Sequence, residues 1–289
     1  MELTFTKMHG LGNDFIVIDD VAGELDFSTE AVQWFCDRNF GIGGDGLILV
    51  RASSSTDADY YMHYVNADGS LAEMCGNGVR CFAKYLVDHG LVDERRDSLV
   101  VETLGGLKPI GFVRDECGRL SLATVNMGAP RLAADEIPTT LAGSPVLARQ
   151  LETEAGTFEV TCVSMGNPHC IIWVDDVDSA PVETVGPLVE AHPAFPNKTN
   201  VEFAELAGQG LVRLRVWERG CGETLACGTG ACATVVAASL AGLVGREATV
   251  ELPGGELSVR WDSSGDVYMT GPAEEVFTGA VSIPEEGEA

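Results

Sequence analysis

Positive charge is scarce in this chain: 18 Lys and Arg stand against 44 Asp and Glu, for a formal net charge of −26. Such a balance repels the phosphates of nucleic acid and argues against a nucleic-acid partner; it reads as the solvated exterior of an acidic globular protein. No apolar run approaches the roughly 18 residues that a spanning helix needs, so no membrane partner is expected. Met1 to Phe5 lack the basic and apolar regions of a secretory signal, which makes the cytoplasm the expected location. Aromatics are few and no low-complexity tract occurs, yet 289 residues suffice for a sizeable core and for two domains.

Cys-x-x-Cys pairs are also absent, although cysteines stand at 36, 75, 81, 117, 162, 170, 221, 227 and 232. The odd count and the chain length speak against a disulfide scaffold, and the missing paired spacing weakens zinc, so no metal is expected. Cys81, Cys162, Cys170 and Cys232 lie in apolar runs and read as small buried hydrophobes.

What is present is a sequence written twice. Cys75-Gly76-Asn77-Gly78 opens an apolar segment that stops at Gly90-Leu91-Val92, and Cys227-Gly228-Thr229-Gly230 opens another that stops at Gly242-Leu243-Val244, at an offset of 152. Asn66 and Glu218 precede the two cysteines by nine residues each. Further upstream, Gly12-Asn13-x-Phe15 answers to Gly166-Asn167-x-His169 at an offset of 154. Landmarks in one order at nearly one offset predict two similar domains related by pseudo-twofold symmetry. The first covers 1–125, with about 273–283 returning to it; the second covers 126–272, ending near Gly271-Pro272; the acidic stretch 284–289 reads as a disordered tail.

Short runs rich in branched and aromatic residues predict strands over 15–18, 47–50, 60–65, 100–103, 211–217 and 256–261. Each half has one long helix candidate, 76–89 and 228–241, with Gly90 or Gly242 placed to end it. The first shows an apolar face of Val79, Phe82, Ala83 and Leu86, whereas the second is apolar nearly all round and should be buried on every side. The expected fold is therefore α+β: two pseudo-symmetric domains, each a mixed or antiparallel, barrel-like sheet wrapped around a central helix.

A cysteine at a helix start has its thiolate favoured by unpaired N–H groups and by the dipole, and the glycines behind it let a ligand approach the backbone. One Cys-Gly-x-Gly would read as a tight turn with a buried thiol. Two copies in symmetric halves are what a cofactor-free racemase needs: one thiolate takes the α-proton, the opposed thiol returns one to the other face, and helix N–H groups stabilise the carboxylate onto which charge spreads. Cys75 and Cys227 are the candidate acid and base, sharing one proton as a pair. Asn13, Asn66, Asn167 and Asn200 can bind carboxylate or ammonium groups, although Asn13, Asn66 and Asn167 also suit plain turns. Arg219 can hold a carboxylate through its fork. Glu218 can take an ammonium group or tune a thiol, and Glu218-Arg219 also reads as a surface ion pair. His169 either biases the proton between the cysteines or is a satisfied core histidine.

Several stretches together carry a resemblance: His9-Gly10-Leu11-Gly12-Asn13-Asp14-Phe15, Asn66-Ala67-Asp68-Gly69-Ser70, Cys75 to Cys81, Ser164-Met165-Gly166-Asn167-Pro168-His169, Asn200 in Lys-Thr-Asn-Val, and Glu218-Arg219-Gly220 through Gly230. Leu252-Pro253-Gly254-Gly255 and Tyr268-Met269-Thr270-Gly271 add to it. Over nearly its whole length the chain resembles the diaminopimelate epimerase family. The resemblance implies that family's fold and conversion of L,L-diaminopimelate to the meso form, without a cofactor, in lysine and cell-wall precursor synthesis. It implies Cys75 and Cys227 as acid and base, with Gly76, Asn77, Gly228 and Thr229 at the reacting carboxylate. Asn13, Asn66, Asn167, Asn200, Glu218 and Arg219 would hold the substrate, His169 and Glu218 would adjust the thiols, and Tyr268 would lie at a homodimer contact. One departure is visible: some members carry Gln where this chain has Gly46. Two other readings stay open, a cofactor-free racemase of another amino acid and a thiol redox or metal-binding protein.

Overall fold

The structure is a computed structural model that describes residues 2–72 and 74–283; the expected tail 284–289 lies outside the described residues. The chain divides into two compact units, one of residues up to 125 with those from 271 onward, the other of residues 126–270. Gly271 and Pro272 go with the first unit, where the Pro272 carbonyl accepts a hydrogen bond from Arg80 Nε. Each unit is mostly strand with few helices, a mixed α+β fold.

In the first unit the order is β1(Glu2–Gly10), β2(Asn13–Asp19), α1(Thr29–Cys36), β3(Gly46–Ala52), β4(Tyr60–Asn66), α2(Gly76–Asp88), β5(Ser98–Thr103), β6(Gly106–Arg114) and β7(Leu120–Gly128). The second unit runs β8(Val146–Thr153), β9(Gly156–Ser164), β10(Pro168–Trp173), α3(Val182–Glu190), β11(Asn200–Gly208), β12(Leu211–Glu218), β13(Gly222–Thr224), α4(Gly228–Leu240), β14(Glu247–Leu252), β15(Gly255–Trp261) and β16(Val267–Gly271). A last strand, β17(Glu274–Ser282), pairs antiparallel with β1 as β8 pairs with β9. Parallel strands need a crossover, and each unit has two. The helices α1 and α3 link the parallel pairs β2–β3 and β10–β11. The helices α2 and α4 lie between the parallel pairs β4–β5 and β12–β14. Apart from β1–β17, hairpins supply the antiparallel pairs within each unit.

These crossovers put a helix on both faces of the central strands, and side chains alternate between the two. Leu47 and Leu49 join the core of α1, with Ile16, Ile18, Val32 and Phe35, while Ile48 on the opposite face reaches α2 at Gly78. Val201 and Phe203 join the core of α3, with Val182, Val185 and Val189, while Glu202 on the opposite face reaches α4 at Gly230. That is why β2 and β3 read as continuous apolar runs rather than as alternating ones.

Helix α4 is buried nearly all round, as its composition requires. Helix α2 is too: every residue from Gly76 to Val87 is buried, although its sequence showed one apolar face. The polar positions fit because their charges are met. Arg80 donates to Gly76 O, Asn77 Oδ1 and Pro272 O, and Lys84 bonds Asp88 and Leu120 O.

Both helices end in one device. Gly90 N–H and Leu91 N–H reach back to Val87 O and Leu86 O, and Gly242 N–H and Leu243 N–H to Ser239 O and Ala238 O. The glycines hold φ at 72° and 71°, the left-handed region a Schellman cap uses. An added Cβ at either glycine meets nothing within 4 Å, so only backbone strain opposes it. Gly90→Ala and Gly242→Ala should each cost about 1–2 kcal/mol in urea-unfolding equilibria. Unchanged midpoints would show that the two caps do not terminate the helices as described.

Candidate active site

In the first unit a turn through Leu11 and Gly12, both at positive φ (57° and 86°), returns the chain to start β2 at Asn13. From there a one-way series of hydrogen bonds runs from a cation to an anion. Arg80 donates to Asn77 Oδ1 (3.0 Å), Asn77 Nδ2 to Asn13 Oδ1 (3.2 Å), and Asn13 Nδ2 to Asp45 Oδ2 (2.6 Å). Cys75, directly before α2, donates its thiol to the same Asn13 Oδ1 at 3.6 Å. The amides of Asn13 and Asn77 are thus fixed in orientation by charges at both ends. Asn66 closes β4 opposite Gly46 and bonds Ser70 Oγ at 3.0 Å, so it neighbours this group without belonging to the series. The missing side chain at Gly46 has a physical counterpart: a Cβ there would lie 2.5 Å from the Tyr64 ring.

In the second unit the equivalent residues form a longer series. Glu202 Oε1 lies 2.6 Å from His169 Nδ1, and His169 Nε2 lies 3.0 Å from Asn167 Oδ1. Asn167 Nδ2 donates to Thr229 Oγ1 (3.2 Å), which sits 3.5 Å from Cys227 Sγ. His169 and Glu202 are fully buried. Asn200, also buried, donates to Pro168 O and accepts from the Arg219 N–H, tying the start of β11 to the end of β12. Glu218 accepts from Thr224 Oγ1 at 2.5 Å. The Arg219 guanidinium is exposed and spends one N–H on Asn197 O at 3.1 Å. Tyr268 stands elsewhere, on β16 beneath the Arg260 guanidinium, with its hydroxyl 3.4 Å from Asn126 Nδ2.

Each cysteine immediately precedes its helix, and neither sulfur caps it with a well-formed hydrogen bond. Gly76 and Asn77, like Gly228, are buried first-turn residues. Such a start offers inward N–H groups to an anion. The expectation that a helix start lowers the thiol pKa does not hold for Cys227. Burial pushes its pKa well above the ordinary value, the Glu218 and Glu202 carboxylates push the same way, and the Thr229 hydroxyl and Gly230 N–H oppose them. Among the described residues no group of three or more His, Cys, Asp or Glu is arranged to hold a metal ion.

Sequence reasoning missed Glu202 and the partners Asp45 and Arg80. Glu202 lies between Val201 and Phe203, so simple alternation would send it to solvent; only the second helix layer turns that face inward. Asp45 is the anchor of a surface cluster: Arg38 bridges it to Asp14, which Lys7 also contacts. Burial raises the Asp14 pKa, but the Arg38 and Lys7 contacts outweigh it and hold the group at about 2. Its unfolded value is about 3.9, so the folded form is favoured above that pH and the advantage is lost as pH falls toward 2. Asp14→Asn should flatten the fall in stability across that window, measured by denaturant titration at several pH values. An identical acid profile in the variant would remove Asp14 from the account.

The sequence profile of the family described as diaminopimelate epimerase matches residues 5–133 and 161–276. A diaminopimelate epimerase of Pelotomaculum thermopropionicum is 51% identical, covering 95% of this chain and 97% of the relative. One of Leptospira biflexa is 46% identical over 98% of this chain and all of the relative. Among solved structures, a hydroxyproline epimerase from Agrobacterium vitis superposes with a TM-score of 0.74 at 15% identity, covering 99% of this chain and 94% of that one. A Bacillus anthracis phenazine biosynthesis protein of the PhzF family gives 0.69 at 19% identity, over 98% of this chain and all of that one. These two likenesses concern the fold alone.

Proposed function

The chain belongs to the diaminopimelate epimerase family, and from that premise we propose that it interconverts L,L- and meso-diaminopimelate by a cofactor-free, two-cysteine reaction. The observation that carries the proposal is the pair of buried helix starts, each led by a cysteine and each reached by an asparagine-based hydrogen-bond series. As an isomerase of this kind it serves lysine and cell-wall precursor synthesis.

In this mechanism the reacting carboxylate takes N–H groups from Gly76, Asn77, Gly228 and Thr229, where positive helix ends favour it. One cysteine, as thiolate, removes the α-proton. Negative charge develops toward the carboxylate, where the preorganised N–H groups stabilise it without a metal. The other cysteine, as thiol, delivers a proton to the opposite face, and the roles exchange in the reverse direction. The nine cysteines are all thiols, in keeping with a reducing cytoplasmic setting. No helix of the described chain is long and apolar enough to cross a membrane.

The far end of diaminopimelate is itself an amino acid. Arg219 has a planar fork for its carboxylate, and Asn13, Asn66, Asn167, Asn200 and Glu218 offer amide and carboxylate groups for the rest. His169 and Glu218 tune the thiols, Glu218 by the negative charge it presents to Cys227. Tyr268 belongs to a homodimer contact in this proposal. Tyr268→Ala should then shift the sedimentation profile toward monomer, and an unchanged profile would remove it from that contact.

The deciding experiment is turnover of L,L-diaminopimelate in deuterated water. Wild type should place solvent deuterium at the α-carbon of the product. Cys75→Ser and Cys227→Ser should each lose at least about a hundredfold in epimerisation, the scale of a lost acid or base. Each should still eliminate from a substrate with a good leaving group, because elimination needs one base. Undiminished epimerisation in either serine variant would end the two-base reading. Faster turnover of a simple amino acid than of diaminopimelate would favour the other racemase reading.

A further inference from the structure

The two units share a backbone register but not a charge pattern. In the first, Phe15 pairs with Gly46 and Val17 with Ile48; in the second, His169 pairs with Asn200 and Ile171 with Glu202. Ile48 and Glu202 are therefore equivalent positions on equivalent parallel strands, as are Phe15 and His169. They occupy the same slot under their helices. A Cβ added at Gly78 would meet Ile48 Cδ1 at 3.4 Å and Cys75 Cβ at 3.5 Å; one added at Gly230 would meet Glu202 Oε1 at 2.8 Å and Cys227 Sγ at 3.3 Å. Where the first unit has hydrocarbon beside the cysteine, the second has a carboxylate oxygen. The reverse asymmetry holds inside the helices. Arg80, a fully buried cation in α2, answers to the neutral Cys232 in α4.

Glu202 is held there with care. Its Oε1, the oxygen nearest Gly230, also takes the His169 imidazole, and Oε2 has no hydrogen-bond partner of good geometry. The pair is thus a buried dipole whose carboxylate end faces Gly230 and the Cys227 sulfur. The charged groups acting on that sulfur come from two strands, Glu218 at the end of β12 and Glu202 on β11. Burial raises the Glu202 pKa and the Glu218 charge adds to this, while His169 from β10 and the Cys170 backbone N–H act against them and favour the carboxylate. Both carboxylates oppose a negative sulfur.

We infer that Glu202 is a positioning residue for proton transfer, acting through the His169 pair and the Gly230 slot to keep the shared proton on Cys227 when the site is empty. Cys227 then rests as the thiol that donates. The inference rests on the two-cysteine reading above, and it names the residue that breaks the symmetry between the two acids.

Glu202→Gln tests it, because glutamine keeps the shape and can still bond His169 Nδ1 while removing the charge. Alkylation of Cys227 by iodoacetamide, resolved by peptide mass spectrometry in a Cys75→Ser background, reports its thiolate without any substrate. The Glu202→Gln profile should move to lower pH by about one unit, about tenfold faster alkylation at a fixed pH below the transition. In the otherwise intact enzyme the alkaline limb of kcat/KM should move down by the same interval, in the direction for which Cys227 donates, with KM little changed. A Cys227 profile that stays in place would reduce Glu202 to a structural role and overturn the inference. A profile that moves to higher pH would overturn it as well, by making the pair a source of positive rather than negative potential.

A second variant guards against misfolding. The double change His169→Phe with Glu202→Ile installs the apolar pair that the first unit already uses at these positions. It should fold with an unchanged or higher melting temperature and show the same downward shift in Cys227 alkylation. A folded double variant with the wild-type profile would again overturn the inference. If the serine variants fail the deuterium experiment while the alkylation shift appears, the two-base reading falls and the electrostatic role of Glu202 stands.

Discussion

A helix that begins in the protein interior without a side-chain cap is the constraint from which the rest follows. The first N–H groups of α2 and α4 lie among buried residues, and no side-chain hydrogen bond caps either start. Elsewhere the chain caps its helices in the ordinary way: Ser28 Oγ accepts from Ala31 N–H at the start of α1. In the proposed reaction those two starts, next to cysteines, are the places that suit an anion. The surrounding architecture holds those starts in place. Crossovers bury the helices on all sides, and paired Schellman caps fix their far ends.

Position alone does not fix the chemistry of the thiols. A helix start favours thiolate, yet burial and two carboxylates push Cys227 strongly the other way. Helix-end effects are about 0.3–2 kcal/mol, whereas loss of hydration for a fully buried charge is several kcal/mol, so burial wins until a ligand or solvent changes the site. The asparagines mediate between these extremes. In the first unit their amides are oriented by charge at both ends, Arg80 and Asp45; in the second, Asn167 has the Glu202–His169 pair at one end and the Thr229 hydroxyl at the other. They carry polarity to the sulfurs without carrying charge.

Much of this was legible in the sequence because the chain repeats itself. The Cys-Gly-x-Gly starts and terminal glycines gave both central helices to within a residue, 76–89 against Gly76–Asp88 and 228–241 against Gly228–Leu240. The strand cores lie inside observed strands for the same reason: branched residues crowd where both faces are covered. Short helices α1 and α3 escaped notice, at eight and nine residues, since so few turns give weak periodicity. The all-round burial of α2 was hidden because Arg80 and Lys84 are satisfied by carbonyls far along the chain, at Pro272 and Leu120. Glu202 was hidden by a local rule that holds for one-sided strands and fails beneath a second helix. For Arg80, Lys84 and Glu202 the deciding partner lies outside any local window.

The apolar equivalents of His169 and Glu202 show what the buried pair is for. Phe15 and Ile48 fill the same places in the first unit with full burial and no polar group to satisfy. The fold therefore has a hydrocarbon solution at this spot. Buried ion pairs are in general no more stabilising than well-packed apolar residues of similar size, and replacing them is often neutral or favourable by about 1–4 kcal/mol. A carboxylate with one oxygen lacking a well-formed hydrogen bond is a poor choice for stability, where the same backbone elsewhere holds isoleucine. What it adds beside Cys227 is electrostatic: a carboxylate oxygen near the sulfur where the first unit places hydrocarbon. In the proposed two-base reaction one cysteine starts as acid and the other as base, and a carboxylate beside Cys227 is a way to set that preference within the fold.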